Sequence, residues 1–176
     1  SAYGIPFPSL GERFDRLEEQ LSIISGMWST PAGEPFIHDG PVWPLIDSPA
    51  LPRPVQAGGP PVIIGGLGPR RTPALAVAAE FNVPFARLAE TVALQANVDA
   101  ACTAIGRDPS SVLRSAAQVV CCGQDDAEVV RRAASIGREV DELASNGLAG
   151  TPTAVVDKLA GFAHEGIDRV YLQVLD

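Results

Sequence analysis

The hydrophobic residues near the amino terminus follow a helical period. Between residues 10 and 28 they recur at intervals of three and four positions, at Leu10, Phe14, Leu17, Leu21, Ile24 and Trp28. This spacing predicts an amphipathic helix whose charged residues form a solvated face. Ser9 and Glu12 have the spacing of a capping box, so the helix is expected to begin directly after Ser9. Residues 1–28 are therefore assigned to this helix and a short loop before it.

The helical period disappears between residues 29 and 60, where proline and glycine are frequent. The pattern predicts one long loop, and a loop of this length in a compact domain is either functional or irregularly folded. His38 and Asp39 suggest a site, but no second histidine lies near them in the sequence. A turn is the favoured interpretation of this pair.

Residues 61–176 alternate between short apolar runs and helical patterns. The run Val62 to Ile64 lies between a proline pair and a glycine pair, as in a strand buried in a parallel sheet. Further strands are predicted at 80–85, 112–122 and 169–175, and helices at 72–79, 87–105, 125–144 and 152–165. This alternation predicts an α/β fold with a parallel sheet, built from four βα units with right-handed crossovers. At 176 residues and 46% hydrophobic content, the chain is expected to form a single domain.

The charge limits the class of partner, and the cysteine content limits the redox compartment. A net charge of −8 opposes a nucleic-acid or membrane-surface partner, because neither polyanion attracts an acidic protein that lacks a basic patch. Three cysteines without a CxxC motif do not make a disulfide framework, which favours a cytoplasmic protein. Cys121 and Cys122 are adjacent in a predicted strand and point to opposite faces, so core packing is favoured over redox chemistry or metal binding. No metal site is predicted.

The glycines after the first predicted strand are the best candidates for ligand binding. Gly65, Gly66 and Gly68 carry no Cβ, so a ligand can approach the main-chain amides there. Thr72 followed by Pro73 predicts a helix whose positive end faces the same spot, which suits a phosphate. The segment departs from the dinucleotide pattern GxGxxG at its last position, and no Walker lysine follows. On spacing alone, a tight turn without a ligand is the alternative.

Several segments together resemble a known family. They are YGIPFPSLGERFDRLEEQLSII (3–24), SPALPRPVQ (48–56), PPVIIGGLGPRRT (60–72), EFNVPF (80–85) and GTP with GIDRVYLQVLD (150–176). In combination they resemble the luciferase-like monooxygenase superfamily, and within it the actinobacterial oxidoreductases that use the deazaflavin coenzyme F420. The similarity covers nearly the whole chain.

The resemblance implies a (β/α)₈ barrel that binds a flavin or deazaflavin at the carboxyl ends of its strands. Such a barrel takes roughly 250 residues, so the chain is expected to hold only its carboxyl-terminal half, strands five to eight, and to be incomplete alone. The resemblance places the phosphate side of the coenzyme on Gly65, Gly66, Leu67, Gly68 and Asn82. It gives Arg70 or Arg71 to the acidic tail of the coenzyme, with a solvated helix start as the alternative. No catalytic residue is assigned, because the family's ring site lies mostly in the absent half.

The expected function is that of an oxidoreductase that transfers a hydride between coenzyme F420 and a small organic substrate, complete only with an amino-terminal half. One alternative is a non-catalytic half-barrel that serves as an oligomerising unit. Another is an FMN-dependent monooxygenase. The first and last predicted strands, 62–66 and 169–175, would form exposed apolar edges in a half-barrel. The chain is therefore expected to be a truncated form that dimerises through these edges or pairs with the missing half.

Overall fold

The computed structural model describes residues 3–67 and 77–175. The chain divides into two compact units, Ser1–Pro61 and Val62–Asp176. The division falls next to the predicted boundary between the long loop and the βα units. Compact units of this kind can belong to one domain, so the single-domain expectation stays a prediction. Within the described residues, no helix is both long and apolar enough to cross a membrane.

The first unit begins with the predicted amphipathic helix. Helix α1 spans Leu10–Ser29, and its capping box is present: Ser9 Oγ accepts from the Glu12 amide, and the Glu12 carboxylate accepts from the Ser9 amide at 2.9 Å. The predicted loop between residues 29 and 60 contains two antiparallel strands, β1 at Phe36–His38 and β2 at Leu45–Ser48. The expectation of an unbroken loop is therefore wrong. Runs of three and four residues are too short for a period of two to stand out in the sequence.

The buried Glu19 of α1 holds the connection between β1 and β2 in place. Its carboxylate accepts hydrogen bonds from the amides of Val42, at 3.1 Å, and Trp43, at 2.7 Å. His38 Nε2 lies 3.5 Å from the same carboxylate. His38 is the last residue of β1 and pairs with Leu45 of β2, so the predicted turn does not include it. Asp39 begins the connection that Glu19 holds.

The second unit contains five strands, four α-helices and a single 3-10 turn at Pro109–Ser111 among its described residues. These are β3 (Ile63–Gly65), β4 (Glu80–Pro84), α2 (Leu88–Ala104), β5 (Leu113–Cys122), α3 (Asp126–Ser135), α4 (Val140–Asn146), β6 (Leu148–Gly150), α5 (Pro152–His164) and β7 (Arg169–Val174). The helix predicted at 72–79 falls mostly outside the described residues, and its last three residues are not helical. The other predicted strands and helices are present within a few residues of their expected bounds, apart from the helix at 125–144.

The helix predicted at 125–144 is two helices, because a glycine ends the first. Gly137 has a φ of 68° and its amide bonds Ala134 O at 3.1 Å, while the Arg138 amide bonds Ala133 O at 3.0 Å. This is a Schellman cap, in which the left-handed residue after the helix is usually glycine. The prediction of one helix is wrong because the amphipathic pattern continues across the break.

The sheet of the second unit is parallel throughout, which confirms the predicted α/β fold class. Its hydrogen-bonded order is β3-β4-β5-β6, and β7 also pairs with β5. Val120 of β5 is aligned with both Leu148 of β6 and Val174 of β7, so β6 and β7 lie on opposite edges of β5. The described strands do not close into a barrel.

Apolar side chains cover both faces of β5. Val119 and Cys121 pack with residues of α3 and α4, whereas Val120 and Cys122 lie with the cluster that includes Phe162 of α5. The two adjacent cysteines therefore face opposite layers, as predicted. Burial raises the pKa of the third thiol, Cys102, which fits a packing role.

The outer strands β3 and β7 have one partner each in the described part of the chain. Their apolar side chains are open to solvent: Ile63 is 48% exposed, Leu172 49% and Val174 64%. Such borders are templates for pairing with another strand.

Candidate functional site

The carboxyl end of β3 brings the predicted glycines beside Asn82. Gly65 is aligned with Asn82 of β4, and a Cβ built on Gly65 would lie 3.7 Å from the Asn82 Cβ. Gly66 has a φ of 150°, a conformation that suits glycine. Its amide donates to Asn82 O at 3.1 Å and is therefore engaged within the sheet. Gly68 and Arg70, and also Arg71, lie outside the described residues.

Asn82 is held by a hydrogen-bond network that crosses the sheet. Its Nδ2 donates to Ser115 Oγ at 3.0 Å, and the Ser115 hydroxyl donates to Phe81 O at 3.4 Å. The buried Gln95 of α2 donates from Nε2 to Phe81 O at 3.2 Å and to Ser115 O at 3.4 Å. A fixed amide beside a glycine turn presents its groups to a ligand with little loss of side-chain entropy.

A charged pair links β4 to β7 across the sheet. Arg169 Nη1 lies 2.7 Å from Glu80 Oε2, and it also donates to the Tyr171 hydroxyl at 3.1 Å. The hydroxyl of Tyr171 and the carboxylate of Glu80 raise the pKa of the Arg169 guanidinium. Glu80 is only 4% exposed, and its second oxygen, Oε1, has no hydrogen-bond partner among the described residues. A buried carboxylate oxygen of this kind needs a donor to offset its desolvation.

A cleft of about 490 Å³ lies where β4, β5 and β7 end. One wall consists of Val119 of β5, Gln173 of β7, and the residues directly after β4 and β7, Phe85 and Leu175. The opposite wall comes from α4 and the residues that flank it, and consists of Arg138, Glu142, Leu143, Asn146 and Gly147. Ligands of parallel α/β folds bind outside the carboxyl ends of the strands, so this cleft has the expected position for a binding site.

Two features of the cleft were not predicted from the sequence. Phe85 has a φ of 52°, and its amide donates to Ala117 O at 2.8 Å. Arg138 forms a two-point ion pair with Glu142, with Nε to Oε2 at 2.8 Å. The pair raises the pKa of Arg138 and lowers that of Glu142, so both are charged at neutral pH. The position of Gly137 just before Arg138 was the available signal, since a helix break there turns the arginine toward the strand ends.

Metal ligation finds no support in the described ranges 3–67 and 77–175. They hold no group of three or more His, Cys, Asp and Glu residues arranged for a metal ion. The three cysteines are free thiols, two of them buried.

The chain matches the model of a known protein family. The model of the luciferase-like monooxygenase family matches residues 1–147. The F420-dependent glucose-6-phosphate dehydrogenase of Microbacterium testaceum (strain StLB037) is 36% identical over 69 residues, which are 39% of this chain and 19% of that protein. The chain therefore spans a minor part of this relative.

Solved structures share the fold at low sequence identity. An F420-dependent secondary alcohol dehydrogenase in complex with an F420-acetone adduct has a TM-score of 0.79 at 15% identity, over 96% of this chain and 58% of that one. EDTA monooxygenase from Chelativorans sp. BNC1 has a TM-score of 0.78 at 16% identity, over 98% and 59%. A riboflavin lyase with modified FMN has 0.76 at 15%, over 98% and 55%. The chain thus spans little more than half of each, which confirms the predicted likeness to part of a luciferase-like barrel.

Proposed function

The chain belongs to the luciferase-like monooxygenase family, and from this we propose that it is the coenzyme-binding half of an oxidoreductase that uses F420. The proposed reaction is hydride transfer between the deazaflavin and a small organic substrate. The observation that carries the proposal is the open, side-chain-free face at Gly65, next to the fixed Asn82, at the carboxyl end of the sheet. The partial identity with an F420-dependent dehydrogenase supports the same coenzyme.

The described residues fit the anionic end of such a coenzyme. A Cβ on Gly65 would meet Asn82 O at 3.5 Å, an ordinary contact, so the space above it is open to a ligand. Gly66 turns the chain with its positive φ, and the amide of Leu67 donates to no atom in the described part of the chain. When bound, the coenzyme supplies the hydride chemistry. In this proposal the chain contributes binding and orientation through Gly65, Gly66, Leu67 and Asn82. Gly68, and Arg70 at the acidic tail, are assigned to the coenzyme from the family resemblance alone, since they lie outside the described residues.

FMN is the alternative coenzyme, because two of the structural neighbours contain it. They are the riboflavin lyase described above and the oxygenating constituent of a 3,6-diketocamphane monooxygenase, which has a TM-score of 0.62. A non-catalytic half-barrel that binds neither coenzyme is the alternative from another functional class.

Coenzyme binding can be tested on the 176-residue chain. We expect F420 fluorescence to change on titration with protein at about tens of micromolar, and Gly65→Ala to weaken binding about tenfold because a methyl group enters the ligand's space. Thermal unfolding of this variant should match that of the native chain, since the added Cβ makes only ordinary contacts.

Gly11→Ala is the matched control, because Gly11 lies in α1 with nothing within 4 Å of the added Cβ. Its F420 affinity should equal that of the native chain. A parallel titration with FMN separates the two coenzymes. Absence of any F420 signal at these concentrations would count against the proposal, and binding of FMN alone would replace it with the monooxygenase alternative.

We further propose that the open borders pair with an amino-terminal half-barrel, or with a second copy of the chain when that half is absent. Three observations support this: the exposed apolar residues of β3 and β7, the Glu80 Oε1 atom that has no partner among the described residues, and the coverage of 55 to 59% of the three structural neighbours. In a complete barrel, alternate strands contribute to one interior layer, so the proposed amino-terminal half-barrel is expected to supply a donor to Glu80.

Light scattering should therefore give the isolated chain a mass above that of a monomer. Val174→Lys should shift it toward the monomer, because a charge on the border of β7 opposes strand pairing. Val130→Lys is the control, since Val130 is similarly exposed, at 56%, but lies on α3. A cooperatively folded monomer at all concentrations would contradict the proposed pairing.

A further inference from the structure

The cleft at the ends of β4, β5 and β7 combines a cation with an exposed aromatic ring. We infer that it binds a substrate that carries an anionic group, a carboxylate or a phosphate, on a flat apolar body, with Arg138 at the anion and Phe85 at the flat face. The inference deepens the proposed function and rests on it in one respect: the ligand is a substrate only if the chain is part of an oxidoreductase. Binding of the ligand depends only on the residues of the cleft.

Arg138 has donors to spare for an anion. Its Nε and Nη2 are taken by the two oxygens of Glu142, whereas its Nη1 makes no hydrogen bond within the described residues. The side chain is 37% exposed and lies in the cleft wall. A guanidinium group that bonds a carboxylate through one edge can donate hydrogen bonds to an anion from another edge. Such charge-assisted hydrogen bonds are stronger than those between neutral groups.

The backbone of Phe85 has a positive φ, of 52°, although its side chain is bulky. A positive φ is unusual for a bulky side chain and costs about 1 to 3 kcal/mol. Burial of the ring does not offset this cost, since the residue is 52% exposed. The amide is anchored to Ala117 O, so the strained backbone aims the ring at the cleft. Strain of this kind concentrates at binding sites, and an exposed ring offers a stacking surface.

The amide side chain of Asn146 adds a further donor to the same wall. Its Oδ1 accepts from Arg87 Nε at 2.8 Å, which fixes the orientation of the group. Its Nδ2 has no partner among the residues the structure describes. Gln173 of β7 faces the cleft from the opposite side. The Asn146 amide and the Arg138 guanidinium are therefore oriented before a ligand arrives. Among the described residues of the wall, Glu142 is the one anionic group that opposes an anion.

A purely structural role for the Arg138 and Glu142 pair predicts a different response to mutation. As a surface ion pair four residues apart, it would contribute little, and removal of either partner would have the same small effect on stability. In a ligand site the two changes act in opposite directions on affinity. Removal of Arg138 deletes the anion's partner, whereas removal of Glu142 deletes a repulsive charge and releases two guanidinium donors.

The test uses phenyl phosphate as the probe, with inorganic phosphate and phenol as its separate halves, in the absence of coenzyme. Titration of the ¹⁵N-labelled 176-residue chain should shift the amide resonances of Phe85 and Gly147, with phenyl phosphate bound more tightly than either half. Arg138→Gln should weaken phenyl phosphate binding about tenfold, and Glu142→Gln should strengthen it about threefold. Phe85→Asn keeps a residue that tolerates positive φ but removes the ring, and should weaken phenyl phosphate while it leaves inorganic phosphate unchanged.

Arg131→Gln is the matched control, because Arg131 also forms an ion pair within its helix, with Glu128, but does not line the cleft. It should leave all three affinities unchanged. Equal effects of Arg138→Gln and Glu142→Gln, or resonance shifts confined to residues outside the cleft, would overturn the inference. If F420 binds in the separate titration and phenyl phosphate does not, this inference alone fails. If phenyl phosphate binds and F420 does not, the coenzyme proposal fails and the cleft stands.

Discussion

Replacement of Gly123 with alanine is expected to lower the free energy of unfolding by about 3 kcal/mol. Gly123 is buried between β5 and α3, and an added Cβ would lie 2.7 Å from the Val129 amide nitrogen and 3.0 Å from the Glu128 carbonyl carbon. These are main-chain atoms of the first turn of α3. The helix must move as a unit to make room, which disturbs its contacts with Cys121. Urea denaturation followed by circular dichroism measures the change.

Gly161→Ala is the control for this prediction, because Gly161 lies inside α5 and an added Cβ there would meet only the Leu88 side chain, at 3.4 Å. Alanine is favoured over glycine inside a helix by roughly 0.5 to 1 kcal/mol, so this variant should be at least as stable as the native chain. Equal urea midpoints for the two alanine variants would refute the steric explanation.

Replacement of Arg169 with methionine is expected to have the second largest effect. It leaves both oxygens of the buried Glu80 carboxylate without a partner in the described part of the chain. An unpartnered buried carboxylate costs about 2 kcal/mol or more. Methionine keeps the apolar stem of the side chain, so the loss reports the carboxylate rather than packing. The measurement is the urea midpoint at neutral pH.

The double variant Glu80→Met with Arg169→Met should recover at least half of this loss. Well-packed apolar residues often replace a buried ion pair at little cost in stability, whereas one removed partner leaves the other charge unpaired. The double variant is therefore expected to have a larger free energy of unfolding than the single Arg169→Met variant. A double variant that is less stable than the single one would show that Glu80 is stabilised by groups other than Arg169.

The sequence predicts those elements whose signals are local. The capping box at Ser9, the threonine and proline at the start of α5, and the glycines after α2 and α5 fix helix ends, because the groups that cap a helix lie within a few residues of it. Strand β5 was predictable for a different reason, since ten successive residues leave few alternatives. A short strand such as β6 forms because it pairs with a strand that is distant in the chain. Its three residues are too few to show a strand pattern in the sequence.

The candidate site divides in the same way. That Gly65 meets Asn82 follows from parallel pairing of consecutive strands, so the sequence and its family resemblance suffice to bring them together. The cleft was not predicted, because it needs the Schellman turn at Gly137 and the left-handed backbone of Phe85. The turn has a local glycine signal, but the amphipathic pattern that continues across it favoured a single helix. The backbone of Phe85 is held by the bond of its amide to Ala117 O, a residue distant in the chain, so no local signal was available.

The short chain stretch of Asn146 and Gly147 is a wall common to two cavities. It lines the cleft of about 490 Å³ at the strand ends and also a second cavity of about 340 Å³, which Lys158 and Gly161 of α5 help to line. Arg87, at the start of α2, bonds Asn146, and Lys158 of α5 donates to Ala144 O in the last turn of α4. These two hydrogen bonds fix the position of the segment that both cavities share. The volume of the cleft at the strand ends therefore depends in part on contacts made by α2 and α5.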